Sequence, residues 1–363
     1  MSKIFNGDLI GKRESVTDEL LLLNPYQTPM LAMIGFSTPV SQVEHVWFED
    51  SMFATESTVT ADVTNSATAV VVASVEAFRE NSVVKVGEEL LKVTAVNTGT
   101  KTLTVVRGYA GTTAAAITSG AVIEYQFVEG VEGADARNAR YKQRVRKSNI
   151  TQIFDETVEI TGTAAAVANY GIDDIYDAER AKKLIELALQ LEKAVIGGIR
   201  YENGTVRQMG GARSMIQTNV KDAAGAALSL TMVNDSLQSI YEKGGFASGG
   251  NYEIIVPAKQ KRVVSGFGAD LVRIDQNDAR RGTVVSRLTT DFGEFPVSIN
   301  DNLASNEVMI LDKNRTKIHA LNGRDFAHEY LGKKGDYFQG QIVGEYTFEL
   351  HQEQAHARIK GLA

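Results

Sequence analysis

The stretch Gly7-Asp8-Leu9-Ile10-Gly11-Lys12-Arg13 comes nearest to a phosphate-binding loop. Such a loop aims backbone N–H groups and a lysine at phosphate oxygens, and a following Ser or Thr holds magnesium. Here the glycines are one residue too close, Arg13 stands where the hydroxyl is needed, and no strand precedes the loop. Gly266-Phe267-Gly268 has Leu271 where a dinucleotide fingerprint needs its third glycine, so it reads as a turn. The five histidines show no metal-ligand spacing: His351 and His356 fall on opposite faces of a strand, and His328-Glu329 lacks the second histidine of a zinc-protease helix. Asp275, Asn277 and Asp278 lack the glycine and distal glutamate of a calcium loop and read as local side-chain turns. Asp155 and Glu156 are adjacent on a strand and point to opposite faces, so they cannot share a substrate. No catalytic set, no metal site and no cofactor site is expected.

Composition narrows the class further. There is no cysteine, which removes disulfides, thiolate nucleophiles and Cys-based zinc sites and fits a chain folded in a reducing cytosol. A formal charge of −7 argues against a nucleic-acid-binding protein recognised by its overall charge. MSKIFNGDLIGKRES has no apolar signal core and no apolar run reaches membrane-spanning length, so neither export nor membrane insertion is expected.

Charge is nevertheless segregated. Arg137, Arg140, Lys142, Arg144, Arg146 and Lys147 form a run of six basic residues with no acid between Ala136 and Ser148. It carries one aromatic, Tyr141, and so lacks a stacking platform for bases. Three readings stay open: a solvated strand, contact with DNA, or pairing with acidic groups on another copy of the chain.

The elements that position these groups follow from periodicity. ETVEITG alternates Val158 and Ile160 with Thr157, Glu159 and Thr161, as a strand does. Residues 173–196 carry Ile175, Ala178, Ala181, Leu184, Ile185, Ala188, Leu191 and Val195 on one helical stripe, with Asp173, Asp174 and Asp177 at the start and Gly197-Gly198 after the last turn. At ~1.5 Å per residue this is a rod of roughly 36 Å. Pro25, Pro29 and Pro39 break the first forty residues into short pieces. Leu20 and Leu21 there lie in a helix too short to be stable alone, which must dock on its own core or on a neighbouring chain. From Thr55 the composition shifts to Thr, Val, Ala and Gly, with short strands at Ala69–Val75, Val83–Val86, Glu89–Val96, Thr102–Arg107 and Ala121–Phe127 that suggest a small sandwich or barrel. Val43–Glu49 and Ala139–Lys147 are expected to pair as arms of a hairpin around that insert. Met232–Lys243 reads as an amphipathic helix, Gly244–Gly250 as a flexible loop, Tyr252–Val256 as a buried strand, and Gly344–Ile359 as one long run.

The order GDLIGKRESVTDELLLLNPYQTPMLAMIG, NITQIFDETVEITGTAAAV, DAERAKKLIELALQLEKAVIGG, RQMGGARSMIQTN resembles the major capsid proteins of tailed bacteriophages. VVRGYAGTTAAAITSGAVI resembles an RG-x-x-GT-x-A module of phage structural proteins. The first resemblance implies an α+β fold of the Hong Kong 97-type phage capsid family, with an inserted small all-β domain. Its expected parts are an N-terminal arm (1–40), an extended loop (41–54 and 131–148), the inserted β-domain (55–130), a peripheral domain with a spine helix (149–205 and 318–363; helix 173–196), and an axial domain (206–317). It implies a structural virion subunit, not an enzyme, that self-assembles as hexamers and pentamers into an icosahedral bacteriophage head enclosing double-stranded DNA without reading its sequence. Leu20, Leu21 and the six basic residues are then the candidates for intersubunit contact. The implied partners are a portal and, since no long helical extension precedes the arm, a separate scaffold protein. Assembly would take place in the host cytoplasm. The competing expectation is a tail or decoration protein whose β-insert binds carbohydrate or another surface.

Overall fold

A computed structural model describes residues 28–133, 135–167, 174–267, 287–333 and 335–363. They fall into two compact units: Phe48–Val145, and the described residues before and after it.

In the flanking unit, Asp174 starts the long helix Ile175–Gly197 by accepting hydrogen bonds from the backbone N–H of Tyr176 (2.7 Å) and Asp177 (3.3 Å). The helix packs on a five-stranded sheet. Phe36–Val40 runs parallel to Thr316–Leu321, which is antiparallel to Tyr337–Leu350, which is antiparallel to Gln152–Thr161. Ala327–Lys333 also pairs with the fourteen-residue strand Tyr337–Leu350. Phe154, Val158 and Ile160 point inward on Gln152–Thr161, as the alternation predicts. The helix face differs from the expected stripe. Leu187, Leu191 and Val195 are buried together with Glu192 and Ile196, whereas Leu184 and Ile185 are exposed. Glu192 lies on that buried face, where donors from outside the helix meet it.

Glu192 is fully buried and accepts hydrogen bonds from the backbone N–H of Met30 (2.9 Å) and Leu31 (2.8 Å) and from Asn300 Nδ2 (2.6 Å). It thus caps the short helix Pro29–Ile34, whose own Thr28 makes no side-chain cap. Burial pushes the carboxyl above its usual range, against the pull of these three donors.

The long helix stops at a backbone crossing. The N–H of Gly211 donates to the carbonyl of Gly198 (2.9 Å), and a Cβ on Gly211 would stand 2.5 Å from the Ala194 carbonyl oxygen. A Cβ on Gly198 would stand 2.5 Å from the carbonyl oxygens of Ala194 and Met209, so both positions require glycine. Asn149 holds the crossing from the other side. Its Oδ1 accepts from Gly210 N (2.8 Å) and its Nδ2 donates to the carbonyls of Gly210 (2.9 Å) and Phe348 (2.7 Å).

A six-stranded sheet completes this unit in the order Val220–Asp222, Ala357–Lys360, Val308–Asp312, Tyr252–Val256, Gly293–Ile299, Arg287–Thr290. Tyr252–Val256 and Val308–Asp312 are buried at every position, which is why they read as apolar runs without alternation. Helix Leu230–Glu242, capped by Ser229, contributes Val233, Leu237 and Ile240 to the same core. Two expectations are corrected here. Gly344–Ile359 is not one run: the strand begins at Tyr337 and ends at Leu350, Gln352 takes a left-handed conformation, and Ala357–Lys360 continues in the other sheet. Gly244–Gly250 contains a 3-10 turn whose Phe246 ring packs among Tyr252, Phe292 and Phe295 at 4.6–6.4 Å, so the loop is anchored. Thr283–Val285 and the Asp275–Asp278 turn lie outside the described residues.

The unit Phe48–Val145 has its own core, including Val70, Val84, Leu91, Val93, Leu103 and Ile123. Its strands run Glu56–Thr58, Val122–Val128, Ser82–Val86, Glu89–Asn97, Thr102–Val106, Ala69–Val71. The two end strands meet through the Val59–Val72 bridge and the hydrogen bonds Thr60 N to Val71 O and Ala73 N to Thr58 O, which closes the sheet into a small barrel. The Arg107-Gly108 motif is the barrel's polar pin. Arg107 grips the buried Glu89 with Nε and Nη2, each at 2.8 Å, and also donates to the carbonyls of Thr64, Ala67 and Ala115. Gly108 is left-handed and donates its N–H to Glu89, and a Cβ there would meet the Thr112 carbonyl oxygen at 2.8 Å. Thr112 Oγ1 accepts from Leu90 N (3.1 Å). Burial raises the Glu89 pKa, but Arg107 and the Gly108 and Ala115 amides outweigh it and leave the carboxyl below its usual range.

Glu192→Gln is expected to cost about 1–3 kcal/mol, because the amide brings two hydrogens into a pocket already filled by three donors, where the carboxyl brings one or none. A raised folded pKa contributes stability that is full below the ordinary carboxylate value and is lost as pH rises through the folded value. The gap between wild type and Glu192→Gln, read from denaturant melts, should therefore be widest on the acid side and narrow as pH rises. Arg107→Met leaves Glu89 buried without its fork and is expected to destabilise the barrel by about 3–5 kcal/mol. Calorimetry of the full chain should place that loss in one of two transitions. Because the Glu89 pKa is depressed, the pair's contribution is present above the ordinary carboxylate value and vanishes as pH falls through the folded one. An Arg107→Met variant melting like wild type at neutral pH would refute the role assigned to the motif.

Candidate interaction surface

Glu44–Glu49 and Val145–Ile150 form a two-stranded ribbon, and the chain passes between its two units within these strands. The pairing is shorter than the sequence suggests, since residues 135–144 form no strand. Alternation along the ribbon buries Trp47 and turns Phe48 out, 63% exposed. Met52 and Tyr141 beyond its ends are 92% and 87% exposed. Sequence reasoning missed these apolar groups, although Phe48 beside the single Trp47 was the available signal: two large apolar neighbours on a strand cannot both face one core.

The basic residues emerge beside them, each engaged within its own chain where a partner is seen. Within the barrel unit, Arg137 donates to the Glu129 carbonyl, and Arg140 donates to the Glu76 carbonyl at 3.0 Å with its guanidinium 3.8 Å from the Phe53 ring centre. Lys142 pairs with the Glu76 carboxylate and donates to the Met52 carbonyl. Arg144 Nε stands 3.4 Å from Asp50 Oδ2, with side chains 71% and 62% exposed. In the flanking unit Arg146 and Arg200 share Glu44, at 3.2 and 3.3 Å. A hydrogen bond from Ser148 and the two guanidinium groups hold the Glu44 carboxyl below its usual range despite partial desolvation. Lys147 acts on Glu353 through its charge alone. Exposed pairs of this kind contribute little and are screened by salt. Leu20, Leu21 and the phosphate-loop-like Gly7–Arg13 lie outside the described residues.

Among the histidines, Asp312 N–H donates to His356 Nδ1 at 3.1 Å, so its Nε2 donates to the His351 carbonyl at 3.2 Å. Burial drives the His356 pKa down to about 4. His328 stands 2.8 Å from the Tyr176 hydroxyl. The other three surround one carboxylate, Glu349, which spacing alone did not reveal. Burial pushes its pKa up, and hydrogen bonds from His319, His351 and His45 pull it far below the usual range.

A helix laid on a mixed sheet, a second sheet and a ribbon leading into a barrel make an α+β arrangement, and its likeness to solved phage capsid chains shows it to be the Hong Kong 97-type phage capsid fold. The chain is similar to the capsid protein of a native GTA particle, solved with C5 symmetry, at 11% identity over 97% of this chain and 96% of that one, with a TM-score of 0.52. It is similar to a chain of Mycobacterium phage Cain at 11% identity over 100% and 99%, again at 0.52. Residues 3–363 match the family model for the SU10 major capsid protein, and the chain belongs to that family. A major capsid protein of Escherichia phage Phieco32 is 25% identical over 193 residues; the match spans about half of either chain, 52% of each.

Proposed function

We propose that this chain is the major capsid protein of a tailed bacteriophage, a structural subunit that assembles with copies of itself into an icosahedral head around double-stranded DNA. Membership of the SU10 major capsid protein family over residues 3–363 carries this reading. The exposed apolar groups on and beside the ribbon support it, since Phe48, Met52 and Tyr141 present apolar area to water from which a lone subunit gains nothing. Leu184 and Ile185 on the long helix offer a second apolar contact of the same kind. Each such contact is modest, and the summed area over many neighbours stabilises a shell.

In this reading the long helix is the spine of a peripheral domain, the second sheet belongs to an axial domain, and the ribbon is the base of an extended loop. Hexamers and pentamers are the building units, with a portal and a separate scaffold protein as partners. Assembly takes place in the host cytoplasm and the product resides in the virion.

Expressing the full chain alone and with neighbouring phage proteins tests the reading. Closed shells or uniform hexameric and pentameric rings by light scattering and negative-stain electron microscopy are expected; a monodisperse monomer or dimer under every condition would overturn it. The triple variant Arg144→Glu, Arg146→Glu, Lys147→Glu should keep a folded subunit by circular dichroism and lose assembly. Arg144 and Arg146 sit beside Asp50 and Glu44, so reversal also splays the ribbon's own pairs. Normal particles from the triple variant would remove the basic run from the interface.

A further inference from the structure

We propose that His45, His319 and Glu349 form a binding site for a single divalent transition-metal ion of the zinc class, which would fasten the root of the ribbon to the five-stranded sheet.

The three ligand atoms lie within 4.8 Å of one another, the one such grouping of His, Asp and Glu among the described residues. His45 comes from the ribbon strand Glu44–Glu49, His319 from Thr316–Leu321, and Glu349 from the end of Tyr337–Leu350. His45 Nε2 is 2.8 Å and His319 Nε2 is 2.6 Å from the same oxygen, Glu349 Oε2. His319 and Glu349 are buried, and the His45 side chain is 20% exposed.

The tautomer of His319 is set by its other partner. His319 Nδ1 stands 2.7 Å from the carbonyl oxygen of Thr38. A carbonyl only accepts, so Nδ1 must carry the hydrogen. In the neutral ring Nε2 is then a bare lone pair aimed at a carboxylate oxygen, and two lone pairs at that distance repel. Something positive has to lie between them. A second proton on His319 would answer this with an imidazolium–carboxylate pair, with a neutral His45 donating from Nε2 to the same oxygen. One divalent ion satisfies both nitrogens and the oxygen together, with ligand types that suit zinc.

The surroundings match what metal ligands require. An Nδ1–H bonded to a carbonyl is the usual means of fixing a metal-binding imidazole, and Thr38 supplies it for His319. His351 engages the other oxygen, Glu349 Oε1, leaving Oε2 to the two histidines. A cleft of about 330 Å³ lined by Thr38–Gln42, Glu44–Val46 and His319 opens on both rings, giving an entry path and room for water as a further ligand.

The chain contains one tryptophan, Trp47, whose ring lies 5.9 Å from His45 and 6.0 Å from His351. It is a built-in reporter. Chelator-treated full-length protein would be titrated with Zn2+ by calorimetry and with Co2+ by absorbance and Trp47 fluorescence. The expected result is binding of one ion per chain, quenching of Trp47 by Co2+ that Zn2+ reverses, and a higher thermal midpoint with Zn2+. His45→Asn and His319→Asn should each weaken binding at least about tenfold, while His328→Asn, at the remote Tyr176 contact, should bind like wild type. If His319→Asn does not fold, His45→Asn at the more exposed position decides. No stoichiometric binding by the wild type, or wild-type affinity in His45→Asn, would overturn the proposal. The measurement uses soluble subunits, so its outcome is independent of whether the chain forms shells.

Discussion

A carboxylate with no access to water must be met by donors, and in this chain that requirement holds distant segments together. Glu192 is the central case: its two oxygens draw the N-terminus of helix Pro29–Ile34 and the side chain of Asn300 onto the long helix. Removing water from such a group costs several kcal/mol unless its lone pairs are filled. The segments that fill them are therefore fixed in register, and the apolar side chains around them, Met30, Leu31, Leu191 and Val195, pack in the only arrangement that remains. The same device recurs. Glu307 takes Arg213 and Arg358, Glu345 takes Arg207 and Arg324, and Asp312 takes Arg315 and the backbone of Asn251 and Asn314. In a chain with no cysteine, these buried pairs do the register-setting that a disulfide framework does elsewhere.

The backbone crossing at Gly198 and Gly211 works with that device. It lets two segments approach until their peptide groups touch, and Asn149 then ties the crossing to the end of the strand Tyr337–Leu350 through the Phe348 carbonyl. Neither the helix nor the strand could shift by a residue without breaking both. The stop of the long helix and the position of the end of the strand Tyr337–Leu350 are thus one structural decision.

What could be read from the sequence was local. The acidic start and glycine stop of the long helix and the inward Val158 and Ile160 follow from period and end chemistry, and they formed where expected. The family resemblance rested on the same local patterns. The helix face was misjudged because hydrophobicity counts Leu184 and Ile185 as inward and a glutamate as outward, whereas Glu192 goes inside to meet donors from Met30, Leu31 and Asn300 that no helical period can anticipate. The alternation weakens after Leu350, but the break itself was missed because Ala357 and Ile359 are buried too, only in a different sheet. The histidine cluster was illegible for the deepest reason: His45 and His319 are neighbours only through the pairing of strands far apart in sequence. The Arg107-Gly108 motif was visible as a pattern, but its meaning, a guanidinium gripping Glu89 at the start of the neighbouring strand, needed the fold.

The charges divide into two populations, and the division bears on assembly. Arg107, Arg213, Arg315 and Arg358 serve buried carboxylates, and removing either partner leaves an uncompensated charge inside the protein. Arg144, Arg146 and Arg200 serve carboxylates in open water, where a partner is worth little and can be exchanged. A subunit built to meet copies of itself benefits from that separation. Its fold is secured by pairs that cannot be traded, and its surface carries pairs that can be. If copies meet at the ribbon as proposed, an acidic group from a neighbour would replace Asp50 or Glu44 at almost no cost to the subunit. The exposed Phe48, Met52 and Tyr141 would then supply apolar area while the charges select orientation, so salt should weaken specificity far more than affinity.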